Sequence, residues 1–383
     1  MTTITGKIVR RGYPEPTPAT LTISGGKITE ITELAADTEH DNLPIIFPGF
    51  TDIHNHGGAG ESFPNSDREG CRRAARHHLA FGTTQLLASL VSAPREVLLR
   101  QTDILAGLAE EGEIVGVHME GPFVNHSRCG AQDPAAIIPG DPELLEKVAR
   151  AGRGFLRSVT FAPETDNALE LIDVCADYNI IASLGHTDAS VDLTWQVIEH
   201  AIAKGVTVTA THLFNAMPQI HHRQPGAAAA LLDAAARGKA VVELVADGVH
   251  LHDGIVEMVR NCAPENSMFI TDAMAAAGMT DGDYQLGALA VTVADGVARL
   301  SDGGAIAGGT STIYEQLRRH TTNGWALSDM VGLVSSTAAD LLGLNAGDIA
   351  VGKDANVVVM EEDLTLREVY RRGELIEALP NER

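Results

Sequence analysis

The segment PGFTDIHNHG at positions 48–57 carries two histidines, His54 and His56, one residue apart at the end of the apolar run LPIIF. Successive side chains of a β-strand point to opposite faces, so His54 and His56 project to the same side while Asn55 points away. Two imidazoles so placed can clasp one ion. Further polar residues end other apolar runs: Glu120 in HMEGP, His186 in GHT, His212 in THLFNAMP, His250 in ADGVH and Asp272 in TDAM. Imidazoles with carboxylates are the ligand set of zinc or a similar divalent ion. A lone histidine at a strand end is more often a hydrogen-bonded structural group than a ligand, and an isolated HxH is a weak signal. The weight lies in the joint occurrence of His54, His56, Glu120, His186 and His212 at the same end of four strands.

A bound divalent ion lowers the pKa of its water towards neutrality. Asp272 beside it would take the proton and return it to a leaving amine, a better use than a helix cap or loop carboxylate. His250 on the neighbouring strand would polarise a carbonyl by donating a hydrogen bond. The chemistry is metal-assisted amide hydrolysis.

These residues need a frame. From residue 45 to about 344, short apolar runs alternate with helical stretches. Counting LPIIFPGFTDIH first, the strands continue at 86–92, 113–120, 158–164, 180–187, 206–217, 241–250 and 267–274. Eight alternating units predict an α/β fold, a (β/α)8 TIM-type barrel, whose catalytic groups sit at the C-terminal strand ends. The ends of the chain lack a helical period. ATLTISGGKITEI reads as a hairpin on Gly25-Gly26, and GKDANVVVM and REVYRRGELI read as strands. The expected organisation is a small β-sandwich domain from residues 1–47 and 350–383, with the barrel at 48–349. A β excursion is expected at 285–309.

The chain of 383 residues has a net charge of -23, which repels a phosphate polymer and argues against nucleic acid as a partner. No long unbroken apolar window suggests a membrane span, and the N-terminus MTTITGKIVRRGYPEP has no secretory core, so the expectation is a cytoplasmic protein. The four cysteines are scattered without a CxxC pair, which argues against structural zinc and disulfides. His118 shares the parity of Glu120 and reads as a group supporting the site. RRAARHH (72–78) reads as a solvated helix face, and His126, His252 and His320 as surface residues.

The order HxH, Glu, His, His, Asp on a barrel with a split β domain resembles the amidohydrolase superfamily. More narrowly, PGFTDIHNHG, HMEGPF, GHT, THLFNAMP, ADGVH and TDAM resemble the N-acetylglucosamine-6-phosphate deacetylase family over nearly the whole chain. The resemblance implies hydrolysis of the acetamide of N-acetyl-D-glucosamine 6-phosphate to D-glucosamine 6-phosphate and acetate. It implies Glu120, His186 and His212 as shared metal ligands, with His54 and His56 holding a second ion that only some members carry. One or two divalent ions per subunit are expected, zinc first, with iron, manganese and cobalt compatible with the same ligands. It implies Asp272 as general base and acid and His250 as a substrate contact. Phosphate is expected at the Asn215 and Ala216 amides and at Arg223, whose planar fork suits phosphate. Ala307 and Gly308 correspond to a loop over the sugar. Arg223 is expected to reach a neighbouring subunit's site, hence a homodimer.

There are departures. Strand 4 ends FAPE with no lysine to bridge two ions, which argues against the dihydroorotase and hydantoinase branch and leaves Glu120 to bridge. Family members commonly carry a sugar-contacting histidine where this chain has Gln132. Cys129, in the same loop, reads as a small inert residue. The rival readings are an amidohydrolase for a different N-acyl or cyclic amide, and a non-catalytic sugar-phosphate-binding barrel.

Overall fold

Parallel sheets are covered on both faces, so their strands read as near-continuous apolar runs rather than alternating ones. The computed structural model, which describes residues 1–35 and 42–376, has eight such strands. They are β1 (Phe50–Asn55), β2 (Thr83–Leu90), β3 (Gly116–Glu120), β4 (Leu156–Phe161), β5 (Ile181–Leu184), β6 (Val208–Ala210), β7 (Val241–Val245) and β8 (Ser267–Ile270). They lie side by side in chain order. Just beyond β8 the sheet meets its own first strand. The Asp272 amide donates to His54 O at 2.9 Å and the His56 amide to Ala273 O at 2.7 Å. This is the expected (β/α)8 barrel.

Helices connect the strands: α1 (Arg68–Ala80), α2 (Arg95–Glu110), α3 (Pro142–Ala151), α4 (Ala168–Tyr178), α5 (Val191–Ala203), α6 (Gly226–Ala236) and α7 (Asp253–Cys262), with α8 (Ile313–Thr322) after the last strand. In α2 the buried residues Leu98, Gln101, Thr102, Leu105, Leu108 and Ala109 recur every three to four positions and form one apolar stripe. The start of α3 is set by Asp141, whose side chain accepts from the Leu144 amide, and by Pro142 in the first turn.

The chain divides into two compact units, one of Met1–Asp52, Arg76–Gln85 and Thr312–Arg383, the other of Ile53–Ala75 and Leu86–Ser311. The first contains a seven-stranded, mostly antiparallel sheet assembled from both ends of the chain. Its order runs Glu374–Leu375, Leu366–Arg371, Val357–Met360, Ile45–Pro48, Thr2–Ile8, Thr17–Ser24, Lys27–Glu33. Ser24 pairs with Lys27, and Gly25 and Gly26 between them both have positive φ, which a two-residue hairpin of this hand requires. One face of the sheet is packed through Ile4, Ile8, Leu21, Ile23, Ile28, Ile46, Val357 and Val359.

Some expectations change. The run LPIIF, counted above with the first barrel strand, pairs instead with Thr2–Ile8 and Val357–Met360, and the barrel strand starts after Gly49. His320 is buried, because it lies on the face of α8 that also buries Ile313, Gln316 and Leu317, and its ring meets Trp325 at 4.8 Å. In RRAARHH the side of α1 carrying Arg73 and Arg76 is exposed, but His77 and His78 are buried. The β excursion is a three-stranded antiparallel sheet, Gly282–Leu286, Leu289–Ala294 and Val297–Leu300. It packs Leu286, Val291, Val293 and Ala298 against Val91, Met274 and Ala275. No helix among the described residues is long and apolar enough to cross a membrane.

Candidate metal centre

The rim of the barrel forms where strands end in abrupt turns. His186, His212 and Asp272 each follow a strand and each has a positive φ, of 48°, 28° and 48°. Non-glycine residues there carry strain of order 1–3 kcal/mol each and concentrate at functional sites. Two glycines permit the close approach. A Cβ on Gly121, just after Glu120 and at φ +76°, would meet Ser92 Oγ at 2.2 Å. A Cβ on Gly185 would meet the Thr211 Cβ at 2.6 Å. The ends of β5 and β6 thus lie close enough to set His186 beside His212.

Two buried ligand groups share Glu120, one with His54 and His56, the other with His186 and His212. Glu120 Oε1 lies 3.0 Å from His186 Nε2 and 2.9 Å from His212 Nε2. Glu120 Oε2 lies 3.3 Å from His56 Nε2. Asp272 Oδ1 is 3.2 Å from His56 Nε2 and 3.5 Å from His54 Nε2.

The spacing of the nitrogens is diagnostic. Within each group the two Nε2 atoms stand 3.1 Å apart, and atoms that close cannot both carry hydrogens towards each other. Two nitrogens of a tetrahedral zinc site, each about 2.0–2.1 Å from the ion, stand about 3.3 Å apart. The His54 ring donates its Nδ1 hydrogen to Glu243 at 3.0 Å, and the His186 ring donates to the Arg128 carbonyl at 2.9 Å. With Nδ1–H so committed, each ring has Nε2 to offer, and a divalent ion taking the place of the proton there would bind it as in metal-bound histidines. The donor set fits a divalent metal.

The electrostatics agree. Burial would raise the Glu120 carboxyl, but the charges of His54 and His186 and hydrogen bonds from His186 and His212 hold it well below the carboxylate range. Burial likewise opposes ionisation of Asp272, and the His56 hydrogen bond and His54 charge hold it below the aspartate range. Burial would lower His54, yet Glu120, Glu243 and Asp272 raise it. The carboxylates draw positive charge into a buried site, and a divalent ion supplies it. His118 meets the Ser89 hydroxyl at 2.9 Å and the Thr160 hydroxyl at 2.8 Å and packs edge-on against His54. Burial first, then the His54 charge, pushes it well below its ordinary range, so it stays neutral.

Above the centre lies a cavity of about 250 Å³ lined by His56, Glu120, Gln132, His186, His212, Asn215, Ala216, His250, Asp272 and Gly308, with Leu286, Ala305 and Ile306 as its apolar wall. His250 donates Nδ1–H to Asp247 at 2.8 Å, and its Nε2 stands 3.9 Å from Asp272 Oδ2. Burial lowers His250, but the Asp247 hydrogen bond and charge raise it above its ordinary value. Gln132 donates from Nε2 to Glu120 Oε2 at 2.5 Å and accepts from the Ser92 amide at 2.6 Å.

Two residues singled out in the sequence stand apart. Arg223 is exposed, bonded to His222 Nε2 at 2.7 Å, and does not line this cavity. Ala307 is fully buried and its amide already donates to Ala298 O at 3.0 Å, while its neighbours Ile306 and Gly308 face the cavity. Sequence reasoning passed over Glu243 and Asp247. A glutamate inside the apolar run VVELV was the available signal, because an acid there must be partnered.

Comparison with known proteins gives a consistent picture. The Amidohydrolase family matches residues 45–376. N-acetylglucosamine-6-phosphate deacetylase of Bacillus subtilis (strain 168) is 34% identical, over 96% of this chain and 93% of its own. N-acetylgalactosamine-6-phosphate deacetylase of Escherichia coli O157:H7 is 30% identical, over 93% and 94%. The structure of a mutant N-acetyl-D-glucosamine-6-phosphate deacetylase from Mycobacterium smegmatis in complex with N-acetyl-D-glucosamine-6-phosphate is 37% identical, with a TM-score of 0.90 over 98% of this chain and 99% of that one. A chain matched over most of its length, with a buried histidine–carboxylate centre at the mouth of a (β/α)8 barrel, belongs to the amidohydrolase family.

Proposed function

We propose that the protein hydrolyses the acetamide of N-acetyl-D-glucosamine 6-phosphate, releasing acetate and D-glucosamine 6-phosphate. The observation that carries this reading is the pair of buried ligand groups sharing Glu120 beneath a cavity edged by Asp272 and His250. Relatives named for this reaction, matched over nearly their whole length, support the choice of substrate.

A divalent ion on Glu120, His186 and His212, with a second on His54, His56 and Glu120, would supply Lewis acidity and a water of lowered pKa at the cavity floor. The residues do the rest. Asp272, ionised at neutral pH, accepts the proton of the attacking water at its carboxylate and passes it to the departing amine. Asp247 takes Nδ1–H of His250 and favours its charged form, and in that form Nε2–H is left to donate to the amide oxygen as negative charge develops there. Leu286, Ala305 and Ile306 keep water from the apolar side of the cavity.

The phosphate is assigned to the backbone at Asn215 and Ala216 and to Arg223 of a second subunit. The exposure of Arg223, outside the cavity of its own chain, supports a role in a homodimer. The mixed imidazole and carboxylate donors suit zinc first, and iron, manganese or cobalt would fit the same set.

The test is acetate release from N-acetylglucosamine 6-phosphate, its unphosphorylated form and the galactosamine epimer. The epimer has its own claim, because one relative is named for it. Release confined to the phosphorylated sugars is expected. Equal rates with and without phosphate would overturn the substrate assignment.

A further inference from the structure

Glu243 is the buried acid that this mechanism does not use. It sits in the middle of β7 with 1% of its surface exposed. A carboxylate so placed needs partners, and it has three. Oε2 accepts from His54 Nδ1–H at 3.0 Å and from the His212 amide at 3.1 Å. Oε1 accepts from the Ser183 hydroxyl at 3.4 Å.

The four clustered imidazoles are held unequally. Within each pair one ring is anchored through Nδ1 and the other is not. His54 has Glu243 and His186 has the Arg128 carbonyl, whereas the Nδ1 atoms of His56 and His212 have no hydrogen-bond partner. The two anchors differ in kind. An amide carbonyl is neutral, while a carboxylate carries charge, and a charged acceptor makes the opposite ring nitrogen a better metal donor. The charge balance points the same way. Two divalent ions would bring four positive charges against Glu120 and Asp272, and Glu243 adds a third carboxylate on the His54 side.

We propose that Glu243 is a positioning residue that determines whether the His54–His56 half of the centre holds its ion. It fixes the tautomer and orientation of His54 and strengthens its Nε2 as a ligand. The proposal rests on the two-ion reading given above.

The test is zinc binding, not turnover. Metal content by mass spectrometry and affinity by chelator competition would be measured on the wild type, Glu243→Gln and Glu243→Leu. The wild type is expected to hold two ions. Glu243→Gln keeps a neutral acceptor for His54 and should bind one of the two ions roughly 10–100-fold more weakly, with the other unchanged. Glu243→Leu, with no acceptor, should retain one ion. A purely structural role for Glu243 would weaken both ions together, and that result overturns the proposal. So do two ions held with wild-type affinity in both variants. A single ion in the wild type would overturn the two-ion reading and the proposal with it. If Glu243→Leu fails to fold, the Gln variant decides.

Discussion

The His250–Asp247 pair makes a quantitative prediction. Asp247 Oδ1 accepts from the Val249 and His250 amides at 2.8 and 2.9 Å, and Oδ2 accepts from His250 Nδ1–H at 2.8 Å. Asp247→Asn preserves an oxygen for the two amides and sets an NH2 group against the ring. His250 must then offer a lone pair at Nδ1, so its single hydrogen sits on Nε2 and the ring is neutral. It still donates to the amide oxygen, but without charge. A hydrogen bond involving a charged group contributes about 1.5–3 kcal/mol, a neutral one about 1 kcal/mol. The loss of about 1 kcal/mol corresponds to a fall of roughly 5-fold to 10-fold in kcat/KM. The pH profile gives the sharper reading. In the wild type, burial lowers the His250 pKa, but Asp247 raises it above the ordinary value. The charged ring is the active form, so activity is lost as pH rises through that pKa. In Asp247→Asn the neutral ring keeps its hydrogen on Nε2 and stays active, so this alkaline limb of kcat/KM flattens. Acetate release across a pH series measures both effects. An unchanged alkaline limb with undiminished kcat/KM would refute the role given to His250.

Other outcomes follow from the same geometry. Gly185→Ala places a Cβ 2.6 Å from Thr211, well inside ordinary carbon–carbon contact. It should cost about 1–3 kcal/mol and loosen metal binding through His186, read as a lower Tm and a weaker zinc affinity; wild-type values for both would show that the strand ends are not tightly juxtaposed. Arg223→Ala should raise KM for the phosphorylated sugar with metal content unchanged. Mixed and refolded with Asp272→Asn, it should recover wild-type KM, which neither variant shows alone, since one site of the mixed dimer is intact; a KM that stays raised in the mixture would exclude a shared site.

The parts of the site legible in the sequence were those fixed by strand periodicity. His54 and His56 share a face because side chains alternate, and Glu120, His186, His212, His250 and Asp272 declare themselves as polar residues ending apolar runs. The structure brings all seven to one centre. What stayed hidden depends on tertiary pairing. LPIIF is as apolar as a barrel strand, and only its partners, Thr2–Ile8 and Val357–Met360, place it in the terminal sheet. Glu243 is masked by its apolar neighbours in VVELV, and its use becomes visible once β1, β5 and β6 surround it. His77, His78 and His320 looked solvated beside arginines, but helix phase turns them inward. The left-handed backbone at His186, His212 and Asp272 has only a weak propensity signal, since none of the three is glycine, although His and Asp adopt it more often than most residues.

The central claim is that this cluster is a hydrolytic metal centre. The most direct measurement follows zinc content and acetate release from N-acetylglucosamine 6-phosphate in one sample, as metal is stripped by a chelator and then restored. The account predicts that activity disappears with the metal and returns in proportion to its rebinding. Undiminished acetate release from protein that holds no divalent ion would contradict it.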